Sequence, residues 1–105
     1  MTEKYRVEIT EPAEKDISEI HARIAQDKPE AAGRWTRKIS QIVRSLKRNP
    51  DRFEKIPESI DLQVHYRHAV HGAYRIIYRI DGLIVSVIRV FHAARLLQSR
   101  HLESR

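Results

Sequence analysis

The chain has 105 residues, of which 41% are hydrophobic and 32% are charged, and it carries a formal net charge of +6 with a pI near 10.0. This length gives one domain with a single main core, and the composition excludes wholesale disorder. The absence of cysteine excludes disulfides and thiolate metal sites. The basic balance favours a polyanionic or acidic partner, without choosing among nucleic acid, the ribosome and an acidic protein segment.

No segment of the sequence indicates export or membrane insertion. The opening residues contain no apolar signal segment, and no apolar run approaches the roughly 18 residues that a membrane helix needs. We therefore expect a cytoplasmic protein that makes no membrane contact.

The N-terminal part predicts a strand followed by a helix. Residues 5–9 alternate apolar and polar side chains, which is typical of a half-buried strand. Thr10, Glu11 and Pro12 then indicate a helix start, and a helix is predicted over about residues 12–26. One apolar stripe runs along it at helical spacing, formed by Ala13, Ile17, Ile20 and Ile24.

A second helix is predicted to follow at once and to run antiparallel to the first. Asp27 with Glu30 resembles a capping box, Pro29 suits the first turn, and the helix should end near Arg48. Its apolar face consists of Trp35, Ile39, Ile42, Val43 and Leu46. Its opposite face is cationic, with Arg34, Arg37, Lys38, Arg44 and Arg48. We interpret that face as solvated, with polyanion contact as the alternative.

The rest of the chain is predicted to be an antiparallel sheet. After a loop over residues 49–59, apolar alternation predicts a strand at 62–70 and, after a turn, another at 74–80. The Asp-Gly pair at 81–82 is a strong signal for a two-residue hairpin loop. The order β-α-α-β-β-β predicts an α+β fold, in which an N-terminal strand and a helical hairpin accompany a mostly antiparallel sheet and the helices pack on one face.

The hairpin loop also predicts the register of the last two strands. It pairs Ile80 with Leu83, and continuing by twos it pairs Tyr74 with Arg89, Arg75 with Ile88, and Arg79 with Ile84. One face is then apolar except for Arg89, whose head we expect to reach solvent near the sheet end. That face holds Tyr74, Ile76, Tyr78, Ile80, Leu83, Val85, Val87 and Phe91, and we expect it against the helices.

The other face of the hairpin mixes cations with apolar residues, and we expect it to be open. It carries Arg75, Arg79 and His92, with Arg67 or His65 arriving from the preceding strand. Two interpretations remain open from these residues alone. The cations can be solubilising, with their stems covering Ile77 and Ile88, or they can form a docking face for phosphate or an acidic partner.

The evenly spaced histidines do not predict a metal site. His65, His68 and His71 lie on a predicted strand, where residues three apart point to opposite faces. His65 and His71 share a face but would lie about 20 Å apart at ~3.3 Å per residue. An HExxH motif is absent, so we predict neither a metal nor a cofactor.

Residues 74–95, "YRIIYRIDGLIVSVIRVFHAAR", resemble the C-terminal half of the ParE/RelE family of bacterial type II toxins. "YRIIYR" looks like the family's Y-R-(apolar)₂-Y strand, and "RVFHAAR" looks like its R-V-x-H-x-x-R ending. The element order, the opening "YRVEITEPAEKDISEI" and the length extend the resemblance to nearly the whole chain. It implies one toxin domain over 1–105, with 95–105 as a C-terminal tail or short helix.

The resemblance implies a toxin that a co-produced antitoxin, ParD-like or RelB-like, neutralises in a hetero-oligomer. RelE-like members cleave mRNA in the ribosomal A site, whereas ParE-like members, which are also described as plasmid stabilisation system toxins, poison DNA gyrase. By the same resemblance Arg75 would stabilise the charged phosphate in the transition state, and His92 would supply proton transfer or charge. His65 and Arg67 lie where RelE has paired lysines, and Glu58 lies near the general base of other members.

The departures from the nuclease pattern favour the ParE-like branch. Nuclease members commonly have a tyrosine near the end of the last strand, but no tyrosine here follows Tyr78, and the paired lysines are missing. We therefore predict a gyrase-inhibiting toxin without chemistry of its own. Its target- or antitoxin-binding face is predicted to hold Arg67, Arg75, Arg79, His92 and Arg95. The alternatives are a RelE-like endoribonuclease using Arg67, Arg75 and His92, and an inactive module whose basic face holds an acidic peptide.

Overall fold

The computed structural model describes residues 4–63 and 65–102, and it contains a four-stranded sheet with two long helices on one face. The long elements are β1 (Arg6–Ile9), α1 (Glu11–Asp27), α2 (Pro29–Ser45), β2 (Tyr66–His71), β3 (Tyr74–Asp81) and β4 (Ile84–His92). The short ones are a 3₁₀ helix (Pro50–Arg52), α3 (Ser59–Leu62) and α4 (Ser99–Leu102). The sheet order is β1-β4-β3-β2, with β1 parallel to β4 and the other pairs antiparallel. The predicted α+β fold is confirmed.

Only one residue separates the two long helices. The hydroxyl of Thr10 accepts a hydrogen bond from the Ala13 N–H at 3.3 Å and caps α1. Asp27 is the last residue of α1, and Lys28 precedes α2 without a side-chain capping bond. The predicted capping box is therefore wrong, because Asp27 still belongs to the first helix. The second helix also ends at Ser45, before the predicted Arg48.

The two predicted helical stripes meet one face of the sheet in the helix-side core. Its fully buried members are Ala13, Ile20, Ile39, Val43, Leu46, Ala69, Ile76, Tyr78, Val85, Val87 and Val90. Each buried Val, Leu or Ile side chain contributes about 1.5–3 kcal/mol relative to leaving it in water. This apolar area holds α1 and α2 on the sheet.

The hairpin between β3 and β4 turns one residue later than predicted. Asp81 pairs with Ile84, so the loop residues are Gly82 and Leu83, and Gly82 has a φ of +63°. A positive φ at this first loop position is the conformation that glycine adopts without strain. Near the turn the partner of each β3 residue moves by two positions, so Val85 still faces the helices as predicted.

A β-bulge at Ile88 changes the outcome further along the hairpin. Tyr78 pairs with Val87 but Ile77 pairs with Arg89, so Ile88 is an extra residue in β4. An inserted residue reverses the face of every side chain beyond it. The predicted pairs of Tyr74 with Arg89 and Arg75 with Ile88 are therefore wrong, and the pair of Arg79 with Ile84, on the turn side of the bulge, is wrong because the turn lies one residue later. The observed pairs are Tyr74 with His92, Arg75 with Phe91, and Arg79 with Ser86.

Thr10 lies at the bulge. Its hydroxyl is shared between the carbonyl oxygens of Val87 at 3.0 Å and Ile88 at 3.1 Å, and its N–H bonds to Val87 at 3.1 Å. Beyond the bulge, Val90 and His92 face the helices and Phe91 faces away from them. The sequence interpretation had these three side chains on the opposite faces.

The predicted strand at 62–70 begins only at Tyr66. Its first part instead belongs to α3, and Gln63 ends that helix in a left-handed conformation with a φ of +54°; Val64 lies outside the described residues. Residues 54–56 run along the outer edge of β2, where the Ile56 N–H bonds to the Tyr66 carbonyl at 2.9 Å. The predicted loop at 49–59 thus contains the 3₁₀ helix and covers part of a sheet edge.

Candidate functional site

The sheet face away from the helices is covered, which corrects the expectation that it is open. A second core fills it, made of Ile56, Ile77, Phe91 and Leu97, each at most 2% exposed. Leu62 and Tyr66 pack against this second core. The bulge delivers Phe91 to this face, and the segment before α3 and the segment after β4 lie over it. The cations that were predicted to share an open face therefore lie in different surroundings.

Arg75 is 3% exposed and lies in a buried ion pair with Glu58, called here the Glu58–Arg75 pair. Its guanidinium donates to both carboxylate oxygens of Glu58, to His68 Nδ1 at 3.2 Å and to the Arg95 carbonyl at 2.6 Å. The same carboxylate accepts the Leu97 N–H at 2.8 Å. The pair thus joins the segment before α3, strand β3 and the segment after β4.

The protonation states of Glu58 and His68 are consistent with their hydrogen bonds to Arg75. Burial alone would raise the pKa of Glu58, but the hydrogen bonds from the Arg75 side chain and the Leu97 backbone lower it to about 2. Burial, and then the charge of Arg75, lower the pKa of His68. Glu58 is therefore ionised at neutral pH, and a neutral His68 can accept from Arg75.

His92 ends β4 and Arg95 follows it, and both lie beside α1. The His92 ring meets the Tyr74 ring edge-on with centroids 5.7 Å apart, and its Nδ1 accepts the Ala94 N–H at 3.2 Å. Arg95 is exposed, with its guanidinium 4.4 Å from the centre of the Phe91 ring. Both line a cleft of about 160 Å³ beside α1, with Asp16, Glu19, Ile20, Arg23, Tyr74, Val90 and Phe91.

The remaining cations of the predicted face lie on different sides of the sheet. Arg67 pairs with Tyr78 on the helix side of the sheet and donates to the Phe53 carbonyl at 2.6 Å. Arg79 is on the second face, where its Nε is buried and has no hydrogen-bond partner among the described residues. His65 is exposed ahead of β2. The sheet thus places Arg75 and Arg79 on one side and Arg67 with His92 on the other.

Arg89 has a structural partner that the sequence interpretation missed. Asp16, 7% exposed, accepts from Arg89 Nε at 2.7 Å, from a second guanidinium nitrogen at 2.9 Å and from the Val90 N–H at 2.9 Å. The hydrogen bond with Asp16 raises the pKa of Arg89. β1 ends opposite Val87, so β4 presents a free edge beyond it that Asp16 fills. The head of Arg89, which we expected to reach solvent, is therefore held by the carboxylate of Asp16.

A signal for this contact was present in the first helix. Asp16 lies between Ala13 and Ile20 at spacings of three and four, so it falls on the buried stripe. An acidic residue on such a stripe requires a buried partner.

The described part of the chain holds no group of three or more His, Cys, Asp or Glu side chains that could bind a metal ion. Over residues 4–63 and 65–102, no helix has both the length and the apolarity to cross a bilayer.

The fold defines the class of protein: an α+β domain of the RelE/ParE-like toxin type. A chain of the toxin–antitoxin complex RelBE2 from Mycobacterium tuberculosis has a similar structure, with a TM-score of 0.63 and 25% identity, covering 89% of this chain and 95% of that one. A chain of a chromosomal ParDE system from P. aeruginosa superposes with a TM-score of 0.67 at 16% identity, covering 85% and 96%, which shows the fold alone.

The sequence comparison then assigns the family. Residues 7–97 match the family described as the ParE toxin of type II toxin–antitoxin systems, parDE. The chain belongs to this ParE toxin family, which confirms the resemblance recognised in its sequence. No match was found among curated protein sequences.

Proposed function

We propose that this ParE-family toxin inhibits DNA gyrase, and so replication and growth, without performing chemistry of its own. The observation that carries the proposal is the burial of Arg75 in the Glu58–Arg75 pair. Arg75 is the residue that a RelE-like nuclease would use on the scissile phosphate. Here the Arg75 guanidinium is instead hydrogen-bonded to Glu58, His68 and the Arg95 carbonyl.

The positions of the other candidate groups also argue against RNA cleavage. Metal-free cleavage needs one group to activate the 2′-OH and one to protonate the leaving oxygen, close to the same phosphate. Arg67 and His92 face the helix side, away from Arg75. Tyr78 donates its hydroxyl to the Pro50 carbonyl, and burial raises its pKa to about 12. This set is poorly arranged for acid–base catalysis.

A RelE-like, ribosome-dependent endoribonuclease is the second candidate, favoured by the 25% identity to a chain of the RelBE2 complex. It requires the Glu58–Arg75 pair to open on the ribosome, so that Arg75 could reach RNA. The third candidate is an inactive module that only binds an acidic antitoxin segment.

We also infer that a cognate antitoxin, ParD-like or RelB-like, binds this toxin in a hetero-oligomer. Both similar structures come from toxin–antitoxin systems, and the matched family is defined by such a system. The surface that the antitoxin covers should include the exposed part of the predicted face at His92 and Arg95. Copurification of the chain with the product of a short neighbouring reading frame would test this inference.

The test of the gyrase proposal compares two reactions of the purified full chain. We expect it to block gyrase supercoiling or trap cleaved DNA, and to leave mRNA uncut on translating ribosomes. His92→Gln is the informative variant because this side chain is exposed and its loss should not unfold the protein. Arg75→Ala is less informative, because it also opens the second core.

Cleavage of A-site codons that disappears in His92→Gln would overturn the gyrase proposal and support the nuclease. Absence of both activities, together with normal growth when the toxin is expressed without antitoxin, would leave the binding module.

A further inference from the structure

A row of exposed cations runs along the outer side of α2 and continues past its C-terminal end. We call it the basic ridge, and it consists of Arg34, Arg37, Lys38, Arg44, Lys47 and Arg48, all exposed. At 100° per residue, Arg34, Arg37, Lys38 and Arg44 occupy a sector of roughly 120°. The buried Ile39 and Val43 lie on the opposite side of the helix. Arg34 and Arg44 are about 15 Å apart along the axis at ~1.5 Å per residue.

The ridge ends in a basic depression at the C-terminus of α2. It has a volume of about 520 Å³ and is lined by Arg44, Ser45, Lys47, Arg48, Asn49 and Arg52. Arg52 donates to the Arg48 carbonyl at 2.6 Å and to Ser45 Oγ at 2.8 Å. The C-terminal end of a helix carries partial negative charge, which would repel an anion. Arg52 offsets that charge, so the end of α2 remains cationic.

No ridge residue forms an ion pair with another described residue of the chain. The ion pairs found in residues 4–63 and 65–102 are Arg6–Glu8, Glu54–His68, Glu58–Arg75 and Asp16–Arg89, and none includes a ridge residue. The neighbouring α1 carries five acidic and two basic side chains, whereas α2 carries one acidic and four basic ones. The positive field is therefore concentrated on one helix.

The surroundings of the ridge favour phosphate over a protein partner. The large apolar side chains that are exposed in the described residues are Ile9, Ile60, Val70, Leu83 and Leu96, and none lies between residues 29 and 52. Protein interfaces have cores rich in aromatic residues and poor in lysine. Phosphate backbones need only positioned cations.

We propose that the basic ridge binds the phosphate backbone of duplex DNA. The major groove of B-DNA is about 12 Å wide and bordered by phosphates, so cations spaced along one exposed helix face can contact the phosphates at its edge. Recognition of phosphate follows from the ridge itself. The choice of DNA over RNA rests on the proposed function, since gyrase acts on DNA.

The experiment measures binding of the full-length toxin to a labelled DNA duplex by fluorescence anisotropy over a series of salt concentrations. Lys38→Gln/Arg44→Gln removes two ridge cations. Lys15→Gln/Arg100→Gln is the matched control, because it removes one lysine and one arginine that are both exposed and lie outside the ridge. We expect the ridge variant to reduce the slope of log K against log salt by about 2. The control should keep the wild-type slope.

Three outcomes would overturn the proposal. If the two variants reduced the slope of log K against log salt equally, net charge alone would attract DNA. Tighter binding to an RNA duplex of the same sequence would overturn the assignment to DNA. Ridge-dependent binding of a polyglutamate peptide, without ridge-dependent binding of DNA, would assign the ridge to an acidic protein. The gyrase assay is a separate readout: DNA binding through the ridge without gyrase inhibition would contradict the proposed function and leave this inference standing.

Discussion

The two faces of the sheet are closed by different means. The helix-side core is broad and apolar, and it holds α1 and α2 by burial of side chains at helical spacing. Among the described residues, the second core has four buried apolar side chains, and two of the segments that cover it are held by the Glu58–Arg75 pair. A small apolar contact supplies little free energy, so directional bonds to a buried carboxylate determine where those segments lie. The comparison shows that a cation in an apolar strand can be structural.

The largest loss of stability is expected for Glu58→Gln. It leaves Arg75 buried without an anionic partner, and we expect a loss of about 3–5 kcal/mol in the free energy of unfolding. Urea denaturation of the single variant measures it. The double variant Glu58→Leu/Arg75→Met should recover most of the loss, because apolar residues can replace a buried ion pair. A single variant as stable as the wild type would show that the pair does not hold the second core.

Acid should lower the free energy of unfolding by protonating Glu58. The pKa of Glu58 is about 2 in the folded protein against an ordinary value of 4.5, so the unfolded chain binds the proton more readily. Its stabilisation is present above pH 4.5 and is lost as the pH falls towards 2, by about 3 kcal/mol. The stability difference between wild type and Glu58→Gln should therefore narrow over this range. A difference that stays constant would contradict the assigned ion pair.

An ion pair also joins α1 to β4, and Asp16→Asn tests its contribution. Asp16 accepts two bonds from Arg89 and one from the Val90 N–H, so we expect a loss of about 1.5–3 kcal/mol. Glu14→Gln is the control, since Glu14 is exposed on the same helix, and its effect should stay within about 0.5 kcal/mol. Thermal unfolding of both variants provides the measurement. Equal effects would mean that Asp16 contributes only helix charge.

The smallest effect is expected for Thr10→Ala. It removes the cap of α1 and the hydroxyl that bonds at the bulge, with a cost of about 1 kcal/mol. Thr10→Ser keeps the hydroxyl and should retain most of the stability. Hydrogen exchange of the amides from Ile88 to Val90 would show whether the bulge loosens in the alanine variant. Unchanged exchange would mean that Asp16 alone holds this edge of β4.

The elements of the fold were largely predictable, and the partners of the charged residues were not. The apolar stripes of α1 and α2 are local patterns, and so is the alternation in β3, which placed Tyr78 towards the helices. Glu58 lies in a segment without periodicity, so no pattern indicated that it would meet Arg75. The buried position of Asp16 was visible in the stripe, but its partner on β4 was not.

The order of strands and helices, most of the helix-side core and the membership of a toxin family were predictable, because periodicity and motif spacing are read along a short stretch of chain. The tertiary structure decided which cations are available to a partner. The bulge at Ile88 is accompanied by bonds to Thr10, 78 positions away, and the alternation around it carries no mark of the extra residue. One inserted residue turned His92 towards the helices and Phe91 away from them, and so separated residues that alternation alone had grouped.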